Sequence, residues 1–420
     1  MSASLKRVVV TGIGALTPLG NTVPAYWEGL LAGVSGAGPV TQFDVSKFKT
    51  KFACELKGFK AEDHFDRKEA RKLDRFSQIA IVAADEAVRM AGIDQEGAVD
   101  KERVGVVWAS GIGGMITFIE EMRGFAGGDG TPRFSPFFIP KMILDIASGH
   151  ISMKYGFMGP NYATVSACAS STNALIDAFY LIRLGKADAI IAGGSEAVIT
   201  EAGIGGFNAM KALSERNDDP ATASRPFDKD RDGFVLGEGG GALVLEEREH
   251  AIRRGATILG EVAGGGMSAD AYHLTAPHPE GRGVINVMRS ALDDAGMTAA
   301  DIDYINVHGT STPLGDVAEL IAIQKVFGEH AYNLNISSTK SMTGHLLGGA
   351  GAIEAIAALK SVMHDTIPPT INHFTDDPEI DPKLDLTFNN AVQRPVRAAL
   401  SNTFGFGGHN ASMIFKKHEA

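Results

Sequence analysis

Residues 164–185 read TVSACASSTNALIDAFYLIRLG, and this stretch is the first indication of the architecture. A short β-type run enters small residues around Cys168, and apolar spacing predicts a helix from Thr172 to Leu184. Residues 335–361, NISSTKSMTGHLLGGAGAIEAIAALKS, show the same order of strand, polar turn and long apolar helix. The repetition predicts that the chain contains two copies of one α/β unit.

Other segments recur in the same order in both parts of the chain. VVVTGIGALTPLG at 8–20 corresponds to ILGEVAGGG at 258–266, and SQIAIVAADEAVRMAG at 77–92 corresponds to VINVMRSALDDAG at 284–296. Alternation of strands and helices is typical of largely parallel sheets that are covered by helices. We therefore predict two related α/β halves, residues 1–255 and 256–420, with a functional site where they meet.

The composition excludes several classes of protein. The 420 residues include 50 glycines and are 44% hydrophobic, which is typical of a globular enzyme with many tight strand-to-helix turns. The net charge of −11 argues against bulk attraction to nucleic acid or to an anionic membrane. No apolar run reaches the roughly 18 residues that a spanning helix needs. Two cysteines cannot build a disulfide framework, so we expect a cytoplasmic enzyme.

Cys168 is the candidate nucleophile. It lies between a β-type run and a helix start, where the helix dipole and free backbone N–H groups lower the pKa of a thiol. The neighbouring Ala and Ser residues allow a tight turn and leave room for a thioester. The alternative is an inert buried cysteine, which is the interpretation we keep for Cys54.

His308 and His345 are the two histidines, out of twelve, that fall where the repeated architecture predicts a site. His308 ends the predicted strand at 304–307, and His345 precedes the helix of the second copy, at the place that Cys168 holds in the first. A structural or exposed role is the alternative for either histidine alone. Short paired spacings such as C-x2-C or H-x3-H do not occur, so we expect no metal site.

Lys340 lies five positions before His345, between serine and threonine residues where it could order a polar network. Glu354 on the next predicted helix could face it; a surface lysine and a solvated glutamate are the alternatives. The glycine-rich segments lack the spacing of dinucleotide and phosphate loops. For the glycine turn at 405–408 we favour close backbone approach to an acyl group, with N–H groups directed into the site.

Four motifs occur in order: VSACASS at 165–171, VHGTSTPLGD at 307–316, SSTKSMTGHLLGGAGAIEA at 337–355 and SNTFGFGGHN at 401–410. Through them the whole chain resembles the thiolase-fold condensing enzymes of the β-ketoacyl-acyl-carrier-protein synthase family. The resemblance implies a five-layered α-β-α-β-α core of two duplicated halves and a homodimer. It implies an acyltransferase of fatty-acid elongation that condenses an acyl thioester with malonyl-acyl-carrier protein and releases carbon dioxide. No cofactor is implied, since acyl-carrier protein brings the phosphopantetheine.

The resemblance also implies roles for residues of this sequence. Cys168 would hold the acyl chain as a thioester. His308 and His345 would stabilise the enolate that forms when carbon dioxide leaves the malonyl group. Lys340 would organise the histidines, and Glu354 would support the lysine.

Phe406 resembles the gate between acyl pocket and malonyl site, and its N–H would form an oxyanion hole with that of Cys168. The implied substrate contacts are Ile112, Phe207, Thr310, Thr312 and Phe404. Histidine at position 345, rather than asparagine, separates the chain from the synthase III and chalcone synthase branches. Ile112 at the pocket floor resembles the synthase II branch, and His409 departs from the threonine that is common after GFGG.

Residues 66–75, DRKEARKLDR, predict a helix with one basic face. Asp66 and Glu69 have capping-box spacing, and the basic residues up to Arg75 recur at helical intervals. An ordinary solvated face is the alternative. In the family the equivalent surface binds the acidic carrier protein, which a local basic patch can steer. The predicted docking residues are Lys68, Arg71, Lys72, Arg133 and Lys211.

Two other functions are weighed against the synthase. A cysteine–histidine hydrolase could use Cys168 and His308, but it leaves His345, the lysine turn and the two halves unexplained. A non-catalytic partner subunit of a polyketide system is disfavoured because such subunits lack the nucleophile that Cys168 provides.

Overall fold

The computed structural model describes residues 5–419, and ten of its strands form one continuous sheet. The strands are β1 Val8–Leu16, β2 Gly38–Pro39, β3 Phe52–Ala53, β4 Val104–Ala109, β5 Asn161–Thr164, β6 Ala189–Glu196, β7 Gly239–Glu247, β8 Gly260–Ala269, β9 Tyr304–Asn306, β10 Asn335–Ser337, β11 Thr366–Ile367, β12 Val392–Gln393, β13 Ala398–Gly405 and β14 His409–Lys416. The helices are α1 Val23–Leu31, α2 Arg67–Ala70, α3 Arg75–Ala91, α4 Met115–Ala126, α5 Phe138–Met142, α6 Ile146–Tyr155, α7 Ser170–Arg183, α8 Glu201–Ala209, α9 Arg248–Arg253, α10 Arg282–Ala295, α11 Pro313–Phe327, α12 Lys340–Thr343 and α13 Ala350–His364.

The two halves of the large sheet have the same strand order. From edge to centre the first half runs β5-β4-β6-β7-β1 and the second runs β10-β9-β13-β14-β8. The three outer strands of each half are parallel, whereas the two inner ones are antiparallel to their neighbours. The largely parallel arrangement that we predict therefore holds only for the outer strands. In the second half the tight turn at 406–408 joins β13 directly to β14, and such a turn can only join antiparallel strands.

Layers of helices cover both faces of the sheet and fill the space between its halves. The inner layer contains α7 and α13, and twelve of the fifteen residues of α13 are buried. A helix that is apolar on all sides requires protein on all sides. The outer layers are α3 with α6 on the first half and α10 with α11 on the second, and each has its own apolar cluster. This is the five-layered α/β core that the family resemblance implies.

Each inner helix follows a short 3-10 turn whose first residue has a left-handed backbone. Ala167 has φ of 50° and Leu347 has φ of 47°, both unusual for residues with a side chain. When the turns at 167–169 and 347–349 are aligned on these first residues, Gly348 corresponds to Cys168. The prediction that His345 holds that place is therefore wrong, because the second copy contains the additional helix α12 between its strand and its turn.

The boundary that we predict between residues 255 and 256 lies in the loop between α9 and β8. No helix within residues 5–419 combines the length and the apolar character that crossing a membrane requires.

Candidate active site

A cavity of about 650 Å³ opens where the two halves of the fold meet. It brings together residues that are far apart in the sequence, because the ends of the outer strands and the starts of the inner helices converge there. The predicted residues that line it are Ile112, Cys168, Phe207, Lys211, Thr310, Thr312, His308, His345, Phe404 and Phe406. Lys340 and Glu354 lie in the protein interior, within electrostatic range of the thiol.

Cys168 lies in the 3-10 turn at 167–169, directly before α7. Its sulfur is 3.0 Å from Nε2 of His345, so the thiol and an imidazole from the other half are in direct contact. Burial raises the pKa of Cys168 to about 12, although the charge of Lys340 and the backbone N–H of Phe406 act in the opposite direction. The expected lowering of the thiol pKa is therefore wrong, because loss of hydration outweighs the position at a helix start.

His308 and His345 face each other with ring centroids 5.3 Å apart and an angle of 85° between the rings. Burial and the positive charge of Lys340 hold the pKa of both well below the usual value for histidine. Both imidazoles are therefore neutral near neutral pH, and each offers one N–H donor and one acceptor. No group of three or more metal-ligating side chains occurs within the described part of the chain.

Lys340 and Glu354 form an ion pair inside the protein. Lys340 begins α12 and Glu354 lies on α13, and their exposed fractions are 1% and 0%. The predicted contact is present, and the surface alternatives for both residues are wrong. Burial raises the pKa of the Glu354 carboxyl, while the nearby ammonium group acts against that rise. The pair places one positive charge behind the two histidines.

The glycine turn after β13 packs directly on the nucleophile. The backbone N–H of Phe406 donates to the Cys168 sulfur. A Cβ atom on Gly405 would lie 2.6 Å from the Ser166 carbonyl oxygen and 3.0 Å from the Cys168 nitrogen, so only glycine fits. The glycine turn therefore brings the backbone N–H of Phe406 to Cys168, and the oxyanion hole itself stays a prediction.

Glu319 is a site residue that the sequence analysis missed. Its carboxylate accepts from the backbone N–H of His308 at 3.0 Å and of Gly309 at 2.9 Å, which fixes the end of β9. Burial raises the pKa of Glu319 to about 7. The signal in the sequence is one acidic residue within the otherwise apolar run 317–323 of α11.

Glu196 is a second missed residue, at the end of β6, and it is fully buried. It accepts from the N–H groups of Gly111 at 2.8 Å, Ile112 at 3.2 Å and Gly348 at 3.0 Å. The carboxylate thus joins the loop that carries Ile112 to the turn before α13. A charged residue that ends a buried strand was the available signal.

The predicted acyl contacts lie in one apolar cluster around the thiol. Ile112 and Phe207 pack against this cluster, which contains Cys168, Phe234 and Leu347. The rings of Phe207 and Phe234 meet edge to face at 5.3 Å. The cluster gives an alkyl chain bound at the sulfur an apolar environment.

The other predicted substrate contacts come from the loop after β9 and from β13. The hydroxyl groups of Thr310 and Thr312 are 3.1 Å apart, and the Phe404 ring lies 5.5 Å from that of His308. Buried Arg231 donates to the carbonyl oxygens of Thr312 at 3.1 Å and Pro313 at 2.8 Å. The loop is therefore held in a fixed shape by a residue of the first half.

The basic helix predicted at 66–75 is not continuous. Helix α2 ends at Ala70, and α3 begins at Arg75 after Asp74 caps it. The chain breaks there because Asp74 is buried and accepts from Thr117, and because Arg75 turns inward to Glu238 at 2.8 Å. Arg75 is therefore not part of an exposed stripe. All five residues of the predicted docking set are exposed: Lys68, Arg71, Lys72, Arg133 and Lys211.

The chain belongs to the β-ketoacyl synthase family. Residues 5–251 match the N-terminal domain of β-ketoacyl synthases, and residues 259–374 match the C-terminal domain. Among individual relatives, proteins named 3-oxoacyl-[acyl-carrier-protein] synthase 2 from Synechocystis sp. and Staphylococcus aureus are 50% and 52% identical to it. These alignments extend over 414 and 416 residues and cover 99% of this chain and of each relative.

Solved structures confirm the thiolase-like fold. A β-ketoacyl synthase from Burkholderia phymatum has a TM-score of 0.91 and 35% identity, and covers 99% of this chain and 100% of its own. A type II polyketide ketosynthase solved in complex with its acyl-carrier protein has a TM-score of 0.88 and 32% identity, with the same coverage.

Proposed function

We propose that this chain is a 3-oxoacyl-acyl-carrier-protein synthase that elongates fatty acids. It joins an acyl group held on Cys168 to the two-carbon unit of malonyl-acyl-carrier protein, and it releases carbon dioxide. The observation that carries the proposal is the 3.0 Å contact between the Cys168 sulfur and Nε2 of His345, with His308 beside it in one cavity. No cofactor enters this reaction, because the carrier protein brings the phosphopantetheine arm with the substrate.

In the first half-reaction the thiol attacks the acyl thioester of the carrier protein. The thiol proton passes to Nε2 of His345, which is neutral and in contact with the sulfur. The negative charge on the carbonyl oxygen is stabilised by the N–H groups of Cys168 and Phe406. Collapse of the tetrahedral intermediate breaks the bond to the carrier thiol, which leaves with the proton from His345, and the acyl group stays on Cys168.

In the second half-reaction the malonyl thioester loses carbon dioxide. The electron pair of the broken bond moves into an enolate whose oxygen receives hydrogen bonds from His308 and His345. Neutral imidazoles suit this role, since the low pKa of both keeps them uncharged near neutral pH. The enolate carbon then attacks the acyl carbonyl, and Cys168 leaves as a thiolate, which releases the 3-oxoacyl product.

The cavity offers separate regions to the two parts of the substrate. We assign the apolar side, with Ile112 and Phe207, to the acyl chain. The hydroxyl pair of Thr310 and Thr312 suits the polar amides of the pantetheine arm. Phe404 packs beside His308 at the malonyl end. The remaining assignment, that of Phe406 as the gate between the two regions, rests on its place in the glycine turn.

The proposed partners are acyl-carrier protein and a second copy of this chain. The exposed lysines and arginines of the docking set, of which Lys211 lines the cavity, suit a strongly acidic carrier protein. A homodimer is supported by exposed apolar groups beside the edge strand β5, where Met158 and Val165 are 66% and 59% exposed. Four phenylalanines, on α4 and on the loop between α4 and α5, are also exposed. A cytoplasmic location fits the two free, buried cysteines.

Two measurements on Cys168→Ala test the function. After incubation with carrier protein that is loaded with an acyl group, the intact mass of the wild type should increase by one acyl group per chain. The mass of the variant should not change. The variant should still release carbon dioxide from malonyl-carrier protein, since His308 and His345 are intact. If the wild type released free fatty acid instead of forming a stable acyl-enzyme, the hydrolase would be favoured. If Cys168→Ala lost decarboxylation as well as acylation, the roles assigned to His308 and His345 would be contradicted.

A further inference from the structure

The Glu196 carboxylate has no part in the proposed chemistry, although it is fully buried at the end of β6. Its Oε1 atom accepts from the Ser110 hydroxyl at 2.9 Å and from the Ile112 N–H at 3.2 Å. Its Oε2 atom accepts from the Gly111 N–H at 2.8 Å and from the Gly348 N–H at 3.0 Å. Because burial of a charged group is costly unless its hydrogen bonds are made, four donors around one carboxylate indicate that it holds the segments around it.

The carboxylate lies between two segments that pack too closely for any side chain. A Cβ atom on Gly348 would lie 2.2 Å from the Gly111 nitrogen, and one on Gly111 would lie 2.8 Å from Oε2 of Glu196. The Cβ on Gly111 would also lie 3.6 Å from the carbonyl oxygen of Ala167, the residue before the nucleophile. The loop after β4 therefore rests against the turns before both inner helices, and Glu196 holds it there.

Ile112 is the side chain through which this loop reaches the substrate. It lines the active-site cavity and packs against the apolar cluster that contains Cys168. Its backbone N–H donates to Glu196. The Ser110 hydroxyl accepts from the Gly113 N–H at 3.0 Å, so the loop is held on both sides of Ile112. An apolar wall at a fixed place limits the alkyl chain that fits, since one methylene group more or less typically changes a rate about tenfold or more.

We propose that Glu196 is a positioning residue that determines the length of the acyl chain accepted on Cys168, because it holds Ile112 in the wall of the cavity. The inference rests on the proposed function and deepens it toward the choice of acyl substrate. Both carboxylate oxygens are needed, since each one accepts from two donors. A glutamine at this position has one acceptor oxygen and an NH2 group that only donates.

The variant Glu196→Gln is therefore expected to release one side of this hydrogen-bond network. When the amide oxygen keeps the two glycine N–H groups, the amide nitrogen faces the N–H of Ile112, and that contact is lost. The Ser110 hydroxyl can rotate to accept from the amide, so the loss falls on Ile112. The matched control is Glu246→Gln, which replaces another fully buried carboxylate, bound to Arg254 at 2.6 Å and outside the cavity.

The measurement is kcat/KM for acylation of Cys168, followed by intact mass, with saturated acyl-carrier proteins whose chains differ in steps of two carbons. We expect the rate of the wild type to fall sharply beyond one chain length. In Glu196→Gln the first rejected length should gain about tenfold relative to the preferred length, because Ile112 can yield to a longer chain. In the control this ratio should stay within about twofold of the wild type. Burial and the Glu196 charge both raise the pKa of Cys168, and the ratio cancels this effect as well as any loss of folded protein.

Two further variants test whether Glu196 acts through Ile112. Ile112→Ala should itself admit the longer chain, and addition of Glu196→Gln should then change the ratio by less than about twofold. Ser110→Ala loosens the same loop and should shift the ratio in the same direction by a smaller factor. This variant decides the case if Glu196→Gln does not fold.

An equal change at all chain lengths would mean that the carboxylate acts on the thiol, and full additivity with Ile112→Ala would mean that it acts on another wall. Either result overturns the inference, as does an unchanged ratio or a wild type without a length limit. In each of these cases a wild type that is acylated leaves the proposed function intact. A wild type that is acylated at no chain length would overturn both.

Discussion

Replacement of Lys340 by methionine removes the positive charge behind the two histidines. The methionine side chain fills most of the same volume but leaves the buried carboxylate of Glu354 without a cation. Removal of one member of a buried ion pair typically costs about 3–5 kcal/mol. We expect a loss of that size in the free energy of unfolding of Lys340→Met. The double variant Lys340→Met/Glu354→Leu removes both charges and should recover most of the loss.

The loss in the single variant should depend on pH. Burial raises the pKa of Glu354, and Lys340 acts against that rise. Without the lysine the folded protein keeps a proton on this carboxyl to a higher pH, whereas the unfolded chain releases it near the usual value. Stability therefore falls as pH rises, since the folded state binds more protons than the unfolded state. The loss of stability in Lys340→Met relative to the wild type should be smallest at acidic pH. The double variant, which lacks the carboxyl, should not show this pH dependence.

Urea unfolding of the three proteins at acidic and mildly basic pH measures both effects. The same lysine lowers the pKa of His345, so the acid limb of Cys168 acylation should move to higher pH in both variants. Equal stability of the wild type and the single variant, or a deficit that does not change with pH, would refute the view that Glu354 is charged because of Lys340.

Three more changes probe contacts around the cavity. Gly405→Ala places a methyl group 3.0 Å from the Cys168 nitrogen and should slow acylation about 100-fold or more by quenched-flow mass measurement; an unaffected rate would contradict the close approach. Arg231→Lys keeps the charge but loses the forked contact with the Thr312 loop. The KM for malonyl-carrier protein should therefore rise by a larger factor than kcat falls. A loss in kcat alone would contradict a role of Arg231 in holding this loop. Glu319→Gln removes a carboxyl whose pKa is about 7, so the variant should gain stability relative to the wild type as pH rises from about 5 to about 8; a constant difference would exclude that titration.

The repeated architecture could be predicted because its signals are local. Helices α3 and α10 both end at a glycine with a left-handed backbone, Gly92 with φ of 67° and Gly296 with φ of 62°, and each glycine follows an amphipathic run. The extra helix α12 escaped because it is only four residues long, too short to show an apolar periodicity. The break at Asp74 also escaped, since it depends on hydrogen bonds to the distant residue Thr117.

The reactive residues of the site were predictable, but their electrostatics were not. Cys168, His308 and His345 lie at strand ends and turns, which the topology brings together. The pKa of the thiol depends on how completely the fold excludes water from it, and that property belongs to packing. Glu196 escaped for a related reason, because three of its partners are backbone N–H groups that no side-chain pattern reveals.

The two turns before the inner helices share a backbone but not a chemistry. At Gly348, the counterpart of Cys168, a Cβ atom would lie 2.2 Å from the Gly111 nitrogen. No nucleophile can be carried there, and the two glycine N–H groups are held by one carboxylate oxygen of Glu196 instead. The two turns are therefore unequal: the first carries the nucleophile, and the second is anchored by Glu196 beside it. The internal symmetry of this chain therefore cannot be turned into a second nucleophile by a single substitution at Gly348.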